Sequence, residues 1–277
     1  MTDSNGVNEI QFETIDFADL NFEHVSIDVE DGIATVTISR PKALNALNEQ
    51  LLFELNEAFD LMLFRPDILV VIITGEGRAF VAGADISEFV DVDGVFDARY
   101  LSDRGHQIMK KVERFSRPVI AAINGFALGG GLELALAATL RTMSKDAKVG
   151  LPEVGLGLIP GYGGTQRLPR LIGVGRAYDL ILTARHVDAD EALQLGIVNR
   201  VADDALQAAY ELARLILKQS PSAVHFAREA VMRGLAQTLD NGLETEADLF
   251  ALATQADDFE EGTRAFLERR APKFNDQ

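Results

Sequence analysis

The chain contains no cysteine and no tryptophan, and only four histidines. Without a thiol there is no disulfide, no thiolate nucleophile and no cysteine-ligated zinc or iron–sulfur centre. A reducing, cytoplasmic setting fits. The histidines, at positions 24, 106, 186 and 225, lack metal-ligand spacing, and no Gly-x-Ser-x-Gly elbow occurs. The sequence also lacks any Gly-Lys dipeptide, which removes the phosphate loop of nucleotide hydrolases; Gly155 to Pro160 is a poor approach to a dinucleotide fingerprint. Positive charge is scarce too. Twenty-six Lys and Arg face 43 Asp and Glu, a formal net charge of −17 that opposes general binding to nucleic acid or an anionic membrane. Residues 1 to 23 hold no basic residue but several acids, the reverse of a signal or transit peptide, and residues 1–22 are expected to be a loosely held acidic tail. The one long apolar stretch, Val119 to Leu140, is interrupted by Asn124, Glu133 and several glycines. It is better explained as a buried strand followed by a buried helix than as a membrane span.

What is present is an ordinary globular composition, nearly half hydrophobic over 277 residues, long enough for a full core. Val25, Ile27 and Val29 alternate with polar residues, and Asp31-Gly32 turns into a second run, Ile33 to Ile38: a β-hairpin. Residues 48 to 64 repeat apolar side chains at helical spacing, Ile68 to Thr74 reads as a strand, and a helix is expected from about Val95 to Phe115. A buried strand at Val119 to Ile123 leads to a helix opening in Gly129-Gly130-Gly131. Strands and helices interleave to Val201, giving an α/β core over residues 23–201. From Asp203 the pattern is helical only, with Leu206, Ala209, Ala213 and Ile216 on one face and a helix starting at Ser220-Pro221, so residues 202–277 are expected to be a C-terminal helical module.

Two glycine-rich segments each leave a strand end: Arg78 to Ile86 and Asn124 to Glu133. Small residues let a substrate carbonyl approach the backbone, and a helix opening on glycines points free N–H groups outward. They serve equally as tight turns and close packing. Glu133 lies one helical turn past Gly130, either as a first-turn acid capping the helix or as a carboxylate sharing a pocket with an oxyanion donor. A second acid, Glu153, sits in an otherwise apolar, turn-rich run between Pro152 and Gly164, which gives the second reading more weight.

These two segments resemble, in order, the signature blocks of the enoyl-CoA hydratase (crotonase) family. So do Arg40-Pro41-x-x-x-Asn45-x-Leu47 and Pro152-Glu153 with Ile159-Pro160-Gly161-x-Gly163-Gly164-Thr165-Gln166, and the likeness runs from about Phe22 to the C-terminus. The resemblance implies a crotonase-like spiral of strand-strand-helix repeats, with a C-terminal helical module for trimerisation, as a trimer or dimer of trimers. It implies an acyl-CoA thioester as substrate and no cofactor or metal, coenzyme A being part of the substrate. By position, the amides of Ala84 and Gly130 correspond to the oxyanion hole, Glu133 and Glu153 to the two catalytic carboxylates, and the Gly161 amide to the donor that holds the catalytic water. Lys42, Arg78, Ala82, Asp85, Ile86 and Ser87, with Ala84, fall in blocks that contact the substrate. Phe266 and Arg269 match a phenylalanine and a lysine that reach a neighbouring subunit's CoA; the arginine keeps the charge but changes its geometry. Both acids being present favours reversible hydration of a 2-enoyl-CoA, chemistry used in fatty-acid β-oxidation and elsewhere. An isomerase that moves the double bond needs only one. An RNA-binding branch of the family is lysine-rich, which this acidic chain is not.

Overall fold

A computed structural model describes Phe17, residues 20–90 and residues 92–274. The hairpin is β1 (Val25–Glu30) and β2 (Ile33–Ile38), followed by α1 (Glu49–Leu63), β3 (Val70–Gly75), β4 (Ala79–Val81) and α2 (Gly94–Arg114). Next come β5 (Val119–Ile123), β6 (Phe126–Leu128), α3 (Gly130–Ala137), β7 (Leu140–Ser144) and β8 (Lys148–Gly150). The helices α4 (Gly164–Ile172), α5 (Val174–Thr183) and α6 (Ala189–Leu195) precede the last strand, β9 (Arg200–Ala202). The chain ends in α7 (Ala205–Ile216), α8 (Pro221–Gly234), α9 (Leu239–Ala253) and α10 (Asp257–Glu268).

The strands form a six-stranded sheet in the order β1-β2-β3-β5-β7-β9 and a three-stranded sheet in the order β4-β6-β8. Only the β1–β2 pair is antiparallel. The two orders define a spiral: β3, β5 and β7 go to the large sheet, and the strand that follows each of them, β4, β6 or β8, goes to the small one. This is the strand-strand-helix repeat expected from the sequence.

Parallel strands covered on both faces read as unbroken apolar runs because neither face meets water. Here the two faces have different partners. Val71 and Ile73 of β3 and Val119, Ala121 and Ile123 of β5 point into the main core, shared with α1, α2 and α3. Their alternates, Val70, Ile72, Ile120 and Ala122, meet Ala205, Ala209 and Ala213 of α7 in a second core. Alanine at three successive turns lets α7 lie close on the sheet. The change of pattern near residue 201 therefore marks the end of the strands, while α7 still belongs to the α/β body as its outer layer.

The acidic tail expected over residues 1–22 lies mostly outside the described residues. Phe17, which falls within that range, is buried, with the Arg65 guanidinium 5.0 Å from its ring. Among the described residues no helix is long and apolar enough to cross a membrane.

Candidate active site

The strands of the small sheet run parallel, Leu128 beside Gly150 and Ala127 beside Val149, with a register shift between β4 and β6, so their carboxyl ends share one edge. Three of the expected site residues follow such ends within a few positions: Ala84 after β4, Gly130 after β6, Glu153 after β8. Three turns of the spiral converge there.

Ala84 is fixed by a parallel bridge to Leu47. The Leu47 amide donates to Gly83 O at 2.9 Å and the Asp85 amide to Leu47 O at 2.8 Å, so the Ala84 N–H between them is turned away from the bridge. The block from Arg40 to Leu47 supplies the other side of this seam. Asn45 is fully buried; its Nδ2 donates to Ala79 O at 2.8 Å and its Oδ1 accepts from the Arg40 amide at 2.8 Å. The Arg40 guanidinium reaches Asp85 Oδ2 at 3.1 Å.

The three glycines before α3 have three separate reasons. Gly129 adopts φ 50° and ψ −122°, a backbone state natural to glycine, and a Cβ there would stand 2.8 Å from Glu153 Oε1. At Gly130 a Cβ would lie 3.2 Å from Leu47 Cδ1, 3.2 Å from Tyr162 Cδ2 and 3.4 Å from the Ala84 nitrogen. At Gly131 it would collide with the Val81 carbonyl, which packs α3 against β4. The amides of Ala84 and Gly130 thus lie close together, and neither has a backbone acceptor among the described residues.

Glu133 is 2% exposed and does not cap its own helix. Its Oε1 accepts from the Tyr162 amide at 2.8 Å and the Gly164 amide at 2.7 Å, across the spiral. Burial pushes its carboxyl up to about 7, aided by the nearby Glu153 charge and opposed by the Gly164 and Tyr162 amides and by Arg167. Glu153 opens a short 3-10 turn, Glu153–Leu156, and burial raises its carboxyl also. Its Oε2 is buried with no hydrogen-bond partner among the described residues. The result is two carboxyls whose burial favours the protonated form, Glu133 up to about 7, beside two outward amides in a site mostly shut from water.

The remaining expectations divide. Gly161 lies in the loop that reaches Glu133; Ser102 Oγ donates to its carbonyl at 2.6 Å, and its amide is unbonded among the described residues. Ala82 donates to Leu44 O at 3.0 Å, in the same seam as Ala84. Asp85 accepts from Ser87 Oγ at 2.7 Å and from the Ser87 amide at 3.2 Å, shaping the turn Ile86–Phe89 on which Ile86 is exposed. That hydroxyl bond and Arg40 keep the Asp85 carboxyl below its usual range despite partial burial. Lys42 and Arg78 are exposed on neighbouring turns, where a Cβ at Gly77 would lie 3.7 Å from Pro41 Cβ. Phe266, 83% exposed, and Arg269 stand at the end of α10, and no hydrogen bond or ion pair joins them to this site among the described residues. Sequence reasoning missed Tyr162 and Gly164 as the partners of Glu133, Gly105, where a Cβ would collide with the Tyr162 ring, and Arg167. The glycine loop was the signal, but nothing local tells which of its amides turns inward.

This arrangement, a spiral α/β core with paired amides and paired carboxyls at one strand edge, is that of a crotonase-fold enzyme. The chain belongs to the enoyl-CoA hydratase/isomerase family, whose model matches residues 28–277. It is 41% identical over 254 residues to the short-chain-enoyl-CoA hydratase of Clostridium acetobutylicum, covering 91% of this chain and 97% of that one. To the crotonyl-CoA hydratase of Syntrophomonas wolfei it is 42% identical over 256 residues, covering 91% and 98%. The crystal structure of enoyl-CoA hydratase from Bacillus anthracis superposes with a TM-score of 0.88 at 39% identity, covering 92% of this chain and all of that one.

Proposed function

We propose that the protein is an enoyl-CoA hydratase that adds water reversibly across the 2,3 double bond of a 2-enoyl-CoA to give a 3-hydroxyacyl-CoA. The observation that carries this reading is the second carboxyl. Moving a double bond needs one base, whereas hydration needs one group to take a proton from water and another to give one to carbon. Glu153 holds a buried oxygen without a hydrogen-bond partner among the described residues, an arrangement that costs about 1–3 kcal/mol. The names of the relatives in Clostridium and Syntrophomonas support the same reaction.

In this mechanism the thioester oxygen accepts from the Ala84 and Gly130 amides, each such donor being worth about 2.7–4 kcal/mol of barrier in comparable sites. Glu133, aimed by two amides, takes a proton from water as its oxygen bonds to C3. The π electrons move onto the thioester as an enolate, and Glu153 delivers its proton to C2. Gly161 helps to hold the water. Lys42 and Arg78 gather the phosphates of coenzyme A on an otherwise acidic surface.

Purified protein given crotonyl-CoA or a longer 2-enoyl-CoA, with no added metal or nucleotide, is expected to yield a product heavier by one water in mass spectrometry. Turnover of 3-enoyl substrates alone would replace hydration by isomerisation. The same reading includes a trimer-based oligomer in which Phe266 and Arg269 reach a neighbour's substrate. Leu235 just after α8, Leu239 and Phe250 on α9 and Phe266 on α10 are exposed, an apolar surface typical of an interface. Light scattering that shows a stable monomer at micromolar concentration would remove that part.

A further inference from the structure

Between the two amides that grip Glu133 lies the peptide joining Tyr162 to Gly163, and its carbonyl accepts from Arg167 Nη1 at 3.1 Å. The other edge of that guanidinium forks onto Glu113, Nε to Oε1 and Nη2 to Oε2, both at 2.9 Å. The loop is shaped to admit it: Gly163 has φ 113°, and a Cβ there would collide with Arg167 Nη1. The Arg167 amide closes the ring by donating to Gly163 O at 2.9 Å. Glu113 in turn sits in the last turn of α2, a helix seated in the core through Ile108, Met109 and Val112, and its carbonyl accepts from the Arg228 guanidinium of α8.

We propose that Arg167, anchored by Glu113, is a positioning residue for the reaction: it fixes the 162–163 peptide so that the amides on either side stay aimed at Glu133. The inference rests on the acid/base role given to Glu133 above. The two donors belong to the neighbouring peptides, one on each side, so a displacement of the anchored 162–163 unit carries both off Oε1. The carboxylate then loses its direction and the two bonds that favour its charged form. A bidentate fork referenced to a core helix resists such a displacement better than a turn does alone. Other titratable groups bear on the same place. Glu153 lies near enough to Glu133 for its charge to be felt there, Arg104 and Glu88 bear likewise on the Tyr162 side chain, and His106, with Lys110 near it, borders Gly163.

Arg167→Gln, Arg167→Lys and Glu113→Gln separate positioning from mere charge. Each is expected to lower kcat by about tenfold to a hundredfold, the cost of an ångström-scale misplacement, with KM for the enoyl-CoA changed far less. The limb of the pH profile that belongs to Glu133 should move to higher pH in all three, and lysine should rescue poorly because it cannot fork. A charge effect alone gives the opposite sign for Glu113→Gln: removing a negative charge would move the limb to lower pH, and that result overturns the proposal. So does an unchanged kcat and limb in folded Arg167→Gln. If Arg167→Gln does not fold, Glu113→Gln, which keeps the arginine, decides alone. A second readout does not depend on turnover: infrared titration of the Glu133 carboxyl band, identified by its loss in Glu133→Gln. If the wild-type protein hydrates nothing, the functional reading fails, yet an upward move of this band in Glu113→Gln still supports the positioning role. A band that stays in place refutes it.

Discussion

All eight residues of α3 are buried, whereas along the fifteen of α9 only Leu249 is. Both helices are rich in apolar side chains, but α3 is completed by its own chain, by Val81 on one side and the 162–164 loop on another. On α9, Leu239 is 78% and Phe250 71% exposed. The contrast separates two kinds of apolar surface. One is closed within the fold, the dry, fixed setting that the proposed acid/base chemistry needs; the other is left open, and covering it falls to other copies of the chain under the assembly proposed above.

The buried side breaks most severely at its carboxyls. Glu133→Gln and Glu153→Gln should each lower hydration at least about a hundredfold, the lower end for general acid–base catalysis, while circular dichroism shows the fold retained. The double variant should be scarcely worse than either single one, since groups that act as one unit do not contribute additively. Losses that multiply would mean separate proton paths.

A smaller effect, on stability, tests the dryness of the site. Glu133 ionises at about 7 in the folded protein, above an unfolded carboxyl, so the folded state holds the extra proton between those values. Stability from this group is therefore full below the unfolded value and is lost as pH rises through about 7. Glutamine accepts the same amides without a charge. Glu133→Gln should consequently melt a few degrees above wild type at pH 8, an advantage of the order expected for one to two kcal/mol, and the gap should close toward pH 5. A gap that does not vary with pH would show the carboxyl to be solvated.

The open side should respond least in the protomer itself. Leu239→Asp and Phe250→Asp place charge on surface already exposed, so far-UV spectra should not change, while light scattering should report a lower mass. An unchanged mass would mean that this face is not an interface.

Much of this was legible in the sequence, and the omissions have a common cause. Val119 to Ile123 is plainly a strand, because five small or branched apolar residues in a row suit burial on two faces. That Ile120 looks toward α7 and Ala121 toward α3 depends on a helix more than 80 positions later, beyond any local pattern. Glu133 and Glu153 stood out as acids among apolar residues. The amides that meet Glu133 come from 29 and 31 positions downstream, so the loop could be named but its inward donors could not. Gly105 reads as an unhelpful residue inside a helix until the Tyr162 ring is seen to occupy the space beside it.

The pairing of Ala84 with Gly130 has an evolutionary consequence. Both offer backbone amides, and a point mutation that keeps an amino acid other than proline at either position keeps its N–H group. Under the mechanism proposed above, the apparatus for polarising a thioester is therefore supplied by chain path and by the small residues that permit that path, while each acid is a single exchangeable side chain on a turn of its own. Sequence drift can revise the proton chemistry one codon at a time, but the means of drawing charge onto the carbonyl is inherited with the fold.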